Sequence, residues 1–269
     1  SPLSLFRLPP RCYAWAEMTE PAAPKKSPPV DDHIVREGAR YEVIHGRLIM
    51  APPADEPHGR AHTGLAYVLA AHVTDAYAVA LDMLTRTSET NDFAPDASVY
   101  PTARSESGGR QLEELAFEIV SQQSMSVSTD KARELTRRGV RRVFCILVRK
   151  ARVLEWSRET DDWTLMSDDG EIDDRCFARP LPIRTLSIRT MVDTASTDGA
   201  VVAALRARGA LRELEEQSRA EGRADALRDA IRSLAAVLDL DVDEAHLASL
   251  DPDALDALRL HLERERRWP

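Results

Sequence analysis

The 269-residue chain contains no apolar run approaching the roughly 20 residues that a membrane-spanning helix needs, so no membrane partner is expected. Cysteine is scarce. Cys12, Cys145 and Cys176 lie far apart with no Cys-x-x-Cys pair, which argues against a disulfide framework and suits a reducing, cytoplasmic setting with free thiols. There is no glycine-rich phosphate loop and no Gly-x-Ser-x-Gly elbow, so two common signatures of nucleotide and acyl chemistry are missing. His58 and His62 have the i, i+4 spacing of helical zinc ligands. No glutamate or cysteine completes a His-Glu-x-x-His order, so a surface or packing role is expected for the pair.

What is present is ordinary for a globular protein: 43% hydrophobic and 30% charged residues, enough for a substantial core. The formal net charge of −9 disfavours strong nonspecific binding to nucleic acid, which rests on neutralising phosphates with Lys and Arg. A divalent cation held by the protein's own carboxylates would supply part of that positive charge, so an acidic total remains compatible with a nucleic-acid substrate.

Residues 1–30 are rich in proline and polar residues without a sustained period, and are expected to form a disordered tail. Met18 opens MTEPAAPKKSPP, where a native start is expected, with residues 1–17 upstream of it. From Tyr41 the pattern becomes globular. His45-Gly46 separates two short strand-like segments, Tyr41 to Ile44 and Arg47 to Met50, as a tight turn would. Residues 58–74 carry apolar positions at helical spacing. Leu81 to Ser88, Ala97 to Tyr100 and Leu115 to Val120 have strand-like length and composition. A charged helix over 129–138 stops at Gly139, and the apolar run Val143 to Val148 predicts a strand covered on both faces. Two more strands are predicted at Val153 to Ser157 and Trp163 to Met166. From about Thr197 the chain turns Ala-, Leu-, Arg- and Glu-rich and all-helical, with a last helix beginning at Asp251-Pro252. Residues 1–30, 31–195 and 196–269 are therefore expected as tail, main domain and helical region, the last serving self-association or docking.

Three residues stand out chemically. Asp96 follows Pro95 at the mouth of a predicted strand, and Glu118 lies within the apolar segment Leu115 to Val120. A charged side chain amid apolar strand residues is costly to bury unless paired or metal-bound, so Glu118 either meets such a partner or points to solvent on an alternating strand. Two strands joined by the loop from Pro101 to Gly109 would pair as neighbours and bring both carboxylates to one edge. Lys131, at the start of the following helix, can swing an ammonium toward that pair, although its position alone also fits a solvated lysine. Arg133, Arg137, Arg138, Arg141 and Arg142 form a basic stretch beside them, suited either to a solvated face or to phosphate contact.

The ordered pieces YEVIHGRLIMAPP, a helix opened by His58, APDASVY, FEIVSQQS, Lys131 eight residues before Gly139-Val140, and VFCILV resemble the Uma-two family of restriction endonucleases, a bacterial branch of the PD-(D/E)XK nuclease superfamily. The resemblance covers roughly residues 33–190. It implies an α/β restriction-endonuclease-like core, a central mixed sheet flanked by helices, here with an α-helical C-terminal appendage. It also implies that Asp96, Glu118 and the Ile119 carbonyl hold Mg²⁺, with Mn²⁺ as a substitute. Lys131 then assists the nucleophile, Glu42 is an accessory carboxylate, and His58 contributes at the edge. The implied activity is metal-dependent hydrolysis of DNA phosphodiesters by a homodimer formed through the nuclease domain or the helical tail. The alternatives are a noncatalytic nucleic-acid-binding or assembly protein on a decayed nuclease fold, and an interaction module driven by the tail. The chain departs from the superfamily's pattern at Val120, where a lysine would stand, the lysine being matched by Lys131 on the next helix. It departs from the family's at Gln122-Gln123 in the turn, at Leu135 in place of a tyrosine, and at Arg142-Val143-Phe144 in place of Glu-Tyr-Trp.

Overall fold

The computed structural model describes residues 27–36, 40–51, 53–121 and 124–269. Most of the expected tail over 1–30 lies outside these residues, as does Cys12. Its last residues pack: Val30 is buried, its carbonyl accepts from the Arg86 N–H, and the Pro28 carbonyl accepts from Arg138.

In chain order the strands are β1 (Tyr41–Ile44), β2 (Arg47–Met50), β3 (Tyr77–Leu81), β4 (Thr85–Ser88), β5 (Asn91–Phe93), β6 (Ala97–Pro101), β7 (Leu115–Val120), β8 (Arg142–Leu147), β9 (Arg152–Ser157), β10 (Asp162–Leu165), β11 (Glu171–Ile172) and β12 (Leu181–Pro182). Helices α1 (Glu56–His72) and α2 (Met125–Arg138) belong to the sheet-bearing part. Helices α3 (Ile188–Val192), α4 (Thr194–Ala207), α5 (Arg212–Leu238), α6 (Glu244–Ser249) and α7 (Pro252–Glu265) follow it.

The centre of the main sheet follows from two apolar segments. Every residue of β7 is buried, and β8 pairs with it in parallel through the α2 crossover, as a βαβ connection requires. The other neighbours are antiparallel, giving a six-stranded mixed sheet in the order β10-β9-β8-β7-β6-β3. One face of β7 presents Leu115, Phe117 and Ile119 to a core shared with Leu65, Val68 and Leu69 of α1, where Phe117 stacks on Phe144 at 5.0 Å between ring centroids. The other face presents Ala116 to Ala132 and Leu135 of α2, and strand alternation puts Glu118 on this same side.

A second sheet, ordered β2-β1-β5-β4, stands beside the first. His45 and Gly46 between β1 and β2 both have positive φ, as a tight primed hairpin turn needs. The strand predicted from Leu81 to Ser88 is in fact two strands in different sheets. The break falls at Asp82, whose left-handed φ of 49° turns the chain out of β3 and toward β4. Helix α2 begins at Met125, with Ser124 as its N-cap, which is four residues earlier than the composition suggested. Lys131 accordingly sits in the second turn, not the first. Gly139, at φ 125°, ends the helix.

The C-terminal helices divide between two surroundings. Val201 and Ala204 of α4 pack on Ala71 of α1, and Arg208 caps the Val73 carbonyl at 2.9 Å. Helices α5 to α7 enclose their own cluster, in which Ile231 meets Leu247, Leu255, Leu258 and Leu262. No described helix is long and apolar enough to cross a membrane.

Helix α1 approaches α3 so closely at Gly64 that a Cβ there would lie 2.3 Å from the Met191 carbonyl oxygen. Gly64→Ala should therefore lower stability by about 1–3 kcal/mol despite its better helix propensity, and a thermal or urea unfolding curve reads the difference directly.

Candidate active site

Strand register, fixed by hydrophobic packing, places the carboxylates. Leu81 of β3 pairs with Ala97 of β6, and Ala97 pairs with Phe117 of β7. Antiparallel counting then sets Asp82 opposite Asp96 and Asp96 opposite Glu118, so three acidic residues stand in one row across three strands. Cys145 continues the row on β8, buried, and burial pushes its thiol above the ordinary range. Cys176 is likewise buried and its thiol is pushed up to about 12, so both described cysteines are free and protonated at neutral pH.

The second sheet and α2 close over the row. The Lys131 ammonium, buried with the rest of its side chain, donates to Glu42 Oε1 at 2.8 Å and to the Ala94 carbonyl at 2.8 Å, and lies 3.9 Å from Glu118 Oε1. The same Glu42 oxygen accepts the Ala94 N–H at 2.9 Å, so one carboxylate fixes both the lysine and the backbone leading into Asp96. Burial alone would push the Lys131 ammonium down. Glu118 and Glu42 outweigh it and hold the group above its ordinary range.

Asp96 is gripped from two sides. Its Oδ2 accepts the Ile119 N–H at 2.5 Å, and its Oδ1 lies 3.4 Å from His58 Nε2. Burial pushes this carboxyl up, but His58, the Ile119 N–H and Lys131 together bring it below the usual range; the Asp96 contact in turn raises His58. His58 stands in the first turn of α1, where the N-cap Asp55 accepts its N–H at 2.9 Å and also receives the Ser121 hydroxyl at 3.0 Å. Glu118 is in a different state. Its Oε1 is buried and accepts no hydrogen bond among the described residues, and burial, reinforced by Asp96, Glu42 and Asp82 and opposed by Lys131, lifts its pKa well above the carboxylate range.

The structure thus brings Asp96, Glu118, Lys131 and Glu42 together from four elements, with His58 at the edge. It also adds a residue that the sequence did not single out. Asp82 was hidden inside a supposed strand, although an aspartate between Leu81 and Met83 carries the same signal as Glu118: a charge interrupting an apolar run. His62, expected to serve packing, points Nε2 at the Asp96 carbonyl and lies 3.7 Å from Asp82 Oδ1. One ligand atom each from His62, Asp82 and Asp96 all fall within 4.8 Å of one another. Oxygen-rich donors with an unsatisfied buried carboxylate oxygen fit a divalent cation. The five arginines nearby are otherwise engaged. Arg133 pairs with Asp161, Arg137 with Glu134, Arg141 with Glu114 and Asp174, and Arg142 with Glu155, while Arg138 caps the Pro28 carbonyl.

A mixed sheet flanked by helices, with clustered carboxylates and a lysine at one end of its central strands, defines an α/β protein of the nuclease-like kind. The chain belongs to the Uma2 family, described as "Putative restriction endonuclease", which it matches over residues 30–175, more than half its length. Among solved structures it is similar to a "putative nuclease belonging to DUF820" from Anabaena variabilis ATCC 29413, at 19% identity and a TM-score of 0.46, covering 54% of this chain and 88% of that one. No curated protein matches the sequence.

Lys131→Met would leave Glu42 and Glu118 buried without their cation. Metal-free protein carrying this change should lose about 3–5 kcal/mol of unfolding free energy in urea titration.

Proposed function

We propose that this protein is a divalent-cation-dependent endonuclease that hydrolyses DNA phosphodiester bonds, with Mg²⁺ as cofactor and Mn²⁺ as a substitute. The observation that carries this reading is Glu118, a buried carboxyl beside Asp96 with an oxygen that accepts no hydrogen bond among the described residues, 3.9 Å from the Lys131 ammonium. Asp96 and Glu118, with the Ile119 carbonyl, are the residues that would hold the cation. When bound, the cation supplies Lewis-acid polarisation of the phosphodiester and lowers the pKa of an attacking water.

The chain's own groups have separable tasks. The Ile119 N–H and His58 orient Asp96, and keeping it ionised preserves a hard anionic ligand. Glu118 and Glu42 raise the Lys131 pKa, which favours its role as a positive charge for the developing phosphorane over a role as base. Glu42 holds that ammonium in place through the Ala94 backbone. Because the arginines of the basic stretch are committed to intramolecular partners, the cation is expected to contribute a large share of the affinity for DNA. Residues 31–195 would form the nuclease unit in the cytoplasm, with residues 196–269 joining two copies into a homodimer.

Purified protein should nick supercoiled plasmid with Mg²⁺ or Mn²⁺ and lose activity with EDTA. Asp96→Ala and Lys131→Ala, checked for folding by circular dichroism, should each reduce nicking by about 10²-fold or more. Absence of both cutting and metal binding would leave a noncatalytic nucleic-acid-binding protein. A further expectation concerns pH. Glu118 retains its proton above the usual carboxylate range, and a ligand carboxylate must release it, so cation affinity should rise with pH by about tenfold per unit until the folded pKa is passed. Calorimetry in buffers of different ionisation enthalpy would record the released proton, and Glu118→Gln should abolish the dependence.

A further inference from the structure

Beyond the Asp96–Glu118 pair, the row of acidic residues continues to the outer strand of the sheet. Asp82 stands opposite Asp96, close enough that its backbone N–H meets the Asp96 carbonyl at 3.4 Å. Two like charges facing each other across adjacent strands repel. Among the described residues the ion-pair partner of Asp82 is His62 alone, at 3.7 Å. Imidazole Nε2, the Asp82 carboxylate and the Asp96 carboxylate come from α1, the crossing after β3, and the approach to β6, and their ligand atoms converge within 4.8 Å. On the other side of Asp96, Glu118 is 6% exposed and its Oε1 accepts no hydrogen bond. That buried oxygen shows that the polar groups of this row are not all satisfied by the described residues.

We propose that Asp82 and His62 are ligands of the cation that Asp96 holds, giving a mixed nitrogen–oxygen donor set that favours Mn²⁺ over Mg²⁺. In the structure the Asp96 carbonyl, which can only accept, faces His62 Nε2, so Nε2 carries the ring proton; binding the cation moves that proton to Nδ1 and turns the freed Nε2 lone pair toward the ion. An imidazole nitrogen strengthens binding of a transition-metal ion much more than binding of Mg²⁺, which favours oxygen and water. The inference rests on the reading of a cation-dependent site, but it concerns which residues hold the ion.

The test is calorimetric titration of the full chain with MnCl₂ and MgCl₂ in the absence of DNA. The Asp82 side chain is 72% exposed, so Asp82→Asn should leave packing intact; it should weaken Mn²⁺ binding by about tenfold or more. His62→Ala should weaken Mn²⁺ by about tenfold or more and Mg²⁺ by less than about threefold, erasing the preference. If His62→Ala fails to fold, pulsed electron paramagnetic resonance of Mn²⁺ on the unaltered protein decides: ¹⁴N hyperfine coupling supports the ligand set, and its absence overturns it. Unchanged Mn²⁺ affinity in Asp82→Asn overturns the inference while leaving the nuclease reading intact. If the unaltered protein binds neither ion, the nuclease reading itself fails.

Discussion

A lysine ammonium buried between two carboxylates is the interaction on which the arrangement depends. Lys131 comes from α2, Glu42 from the smaller sheet and Glu118 from the centre of the larger one, so a single cluster of charges joins three layers. None of these groups would tolerate burial alone, since an isolated ion loses its hydration without compensation. Together they require one another's presence at short range, and the Ala94 backbone is drawn in through both its N–H and its carbonyl. The segment that delivers Asp96 is thereby fixed before any ligand arrives.

The balance in this cluster is uneven, and the unevenness bears on chemistry. Lys131 donates to the Glu42 carboxylate and the Ala94 carbonyl and has the Glu118 carboxyl nearby, whereas among the described residues Glu118 has an ammonium at 3.9 Å and an oxygen that accepts no hydrogen bond. Asp96 is stabilised as an anion while its neighbour on the next strand is driven toward the neutral form. Adjacent carboxyls with opposite tendencies characterise sites that handle charge or protons. Membership of the Uma2 family, described as "Putative restriction endonuclease", gives that pattern a direction.

Much of this was legible in the sequence. The apolar run from Val143 to Val148 reads as a strand covered on both faces, and Leu115 to Val120 as a strand whose single glutamate either meets a partner or faces solvent; burial of the whole strand decides between the two. The placement of Lys131 was harder to see. Its helix starts four residues earlier than its charged stretch, because Ser124 caps it, and local composition says little about which turn a residue occupies. Asp82 escaped because the run from Leu81 to Ser88 reads as one strand; only the left-handed backbone at Asp82, decided by tertiary packing, reveals two. The arginines read equally well as phosphate ligands or surface pairs, and their partners, such as Asp161 and Asp174, lie too far along the chain for local pattern to identify.

The route of the chain between the two sheets has a mechanical meaning. It leaves the larger sheet through residues 82–84, forms the β4–β5 hairpin in the smaller sheet, and returns through residues 94–96. Asp82 stands on the outgoing crossing, and the Ala94 carbonyl and Asp96 stand on the returning one. The hairpin is thus suspended from two straps that run side by side through the same cluster of charges. A cation held between Asp82 and Asp96, as proposed above, would buckle the two straps together.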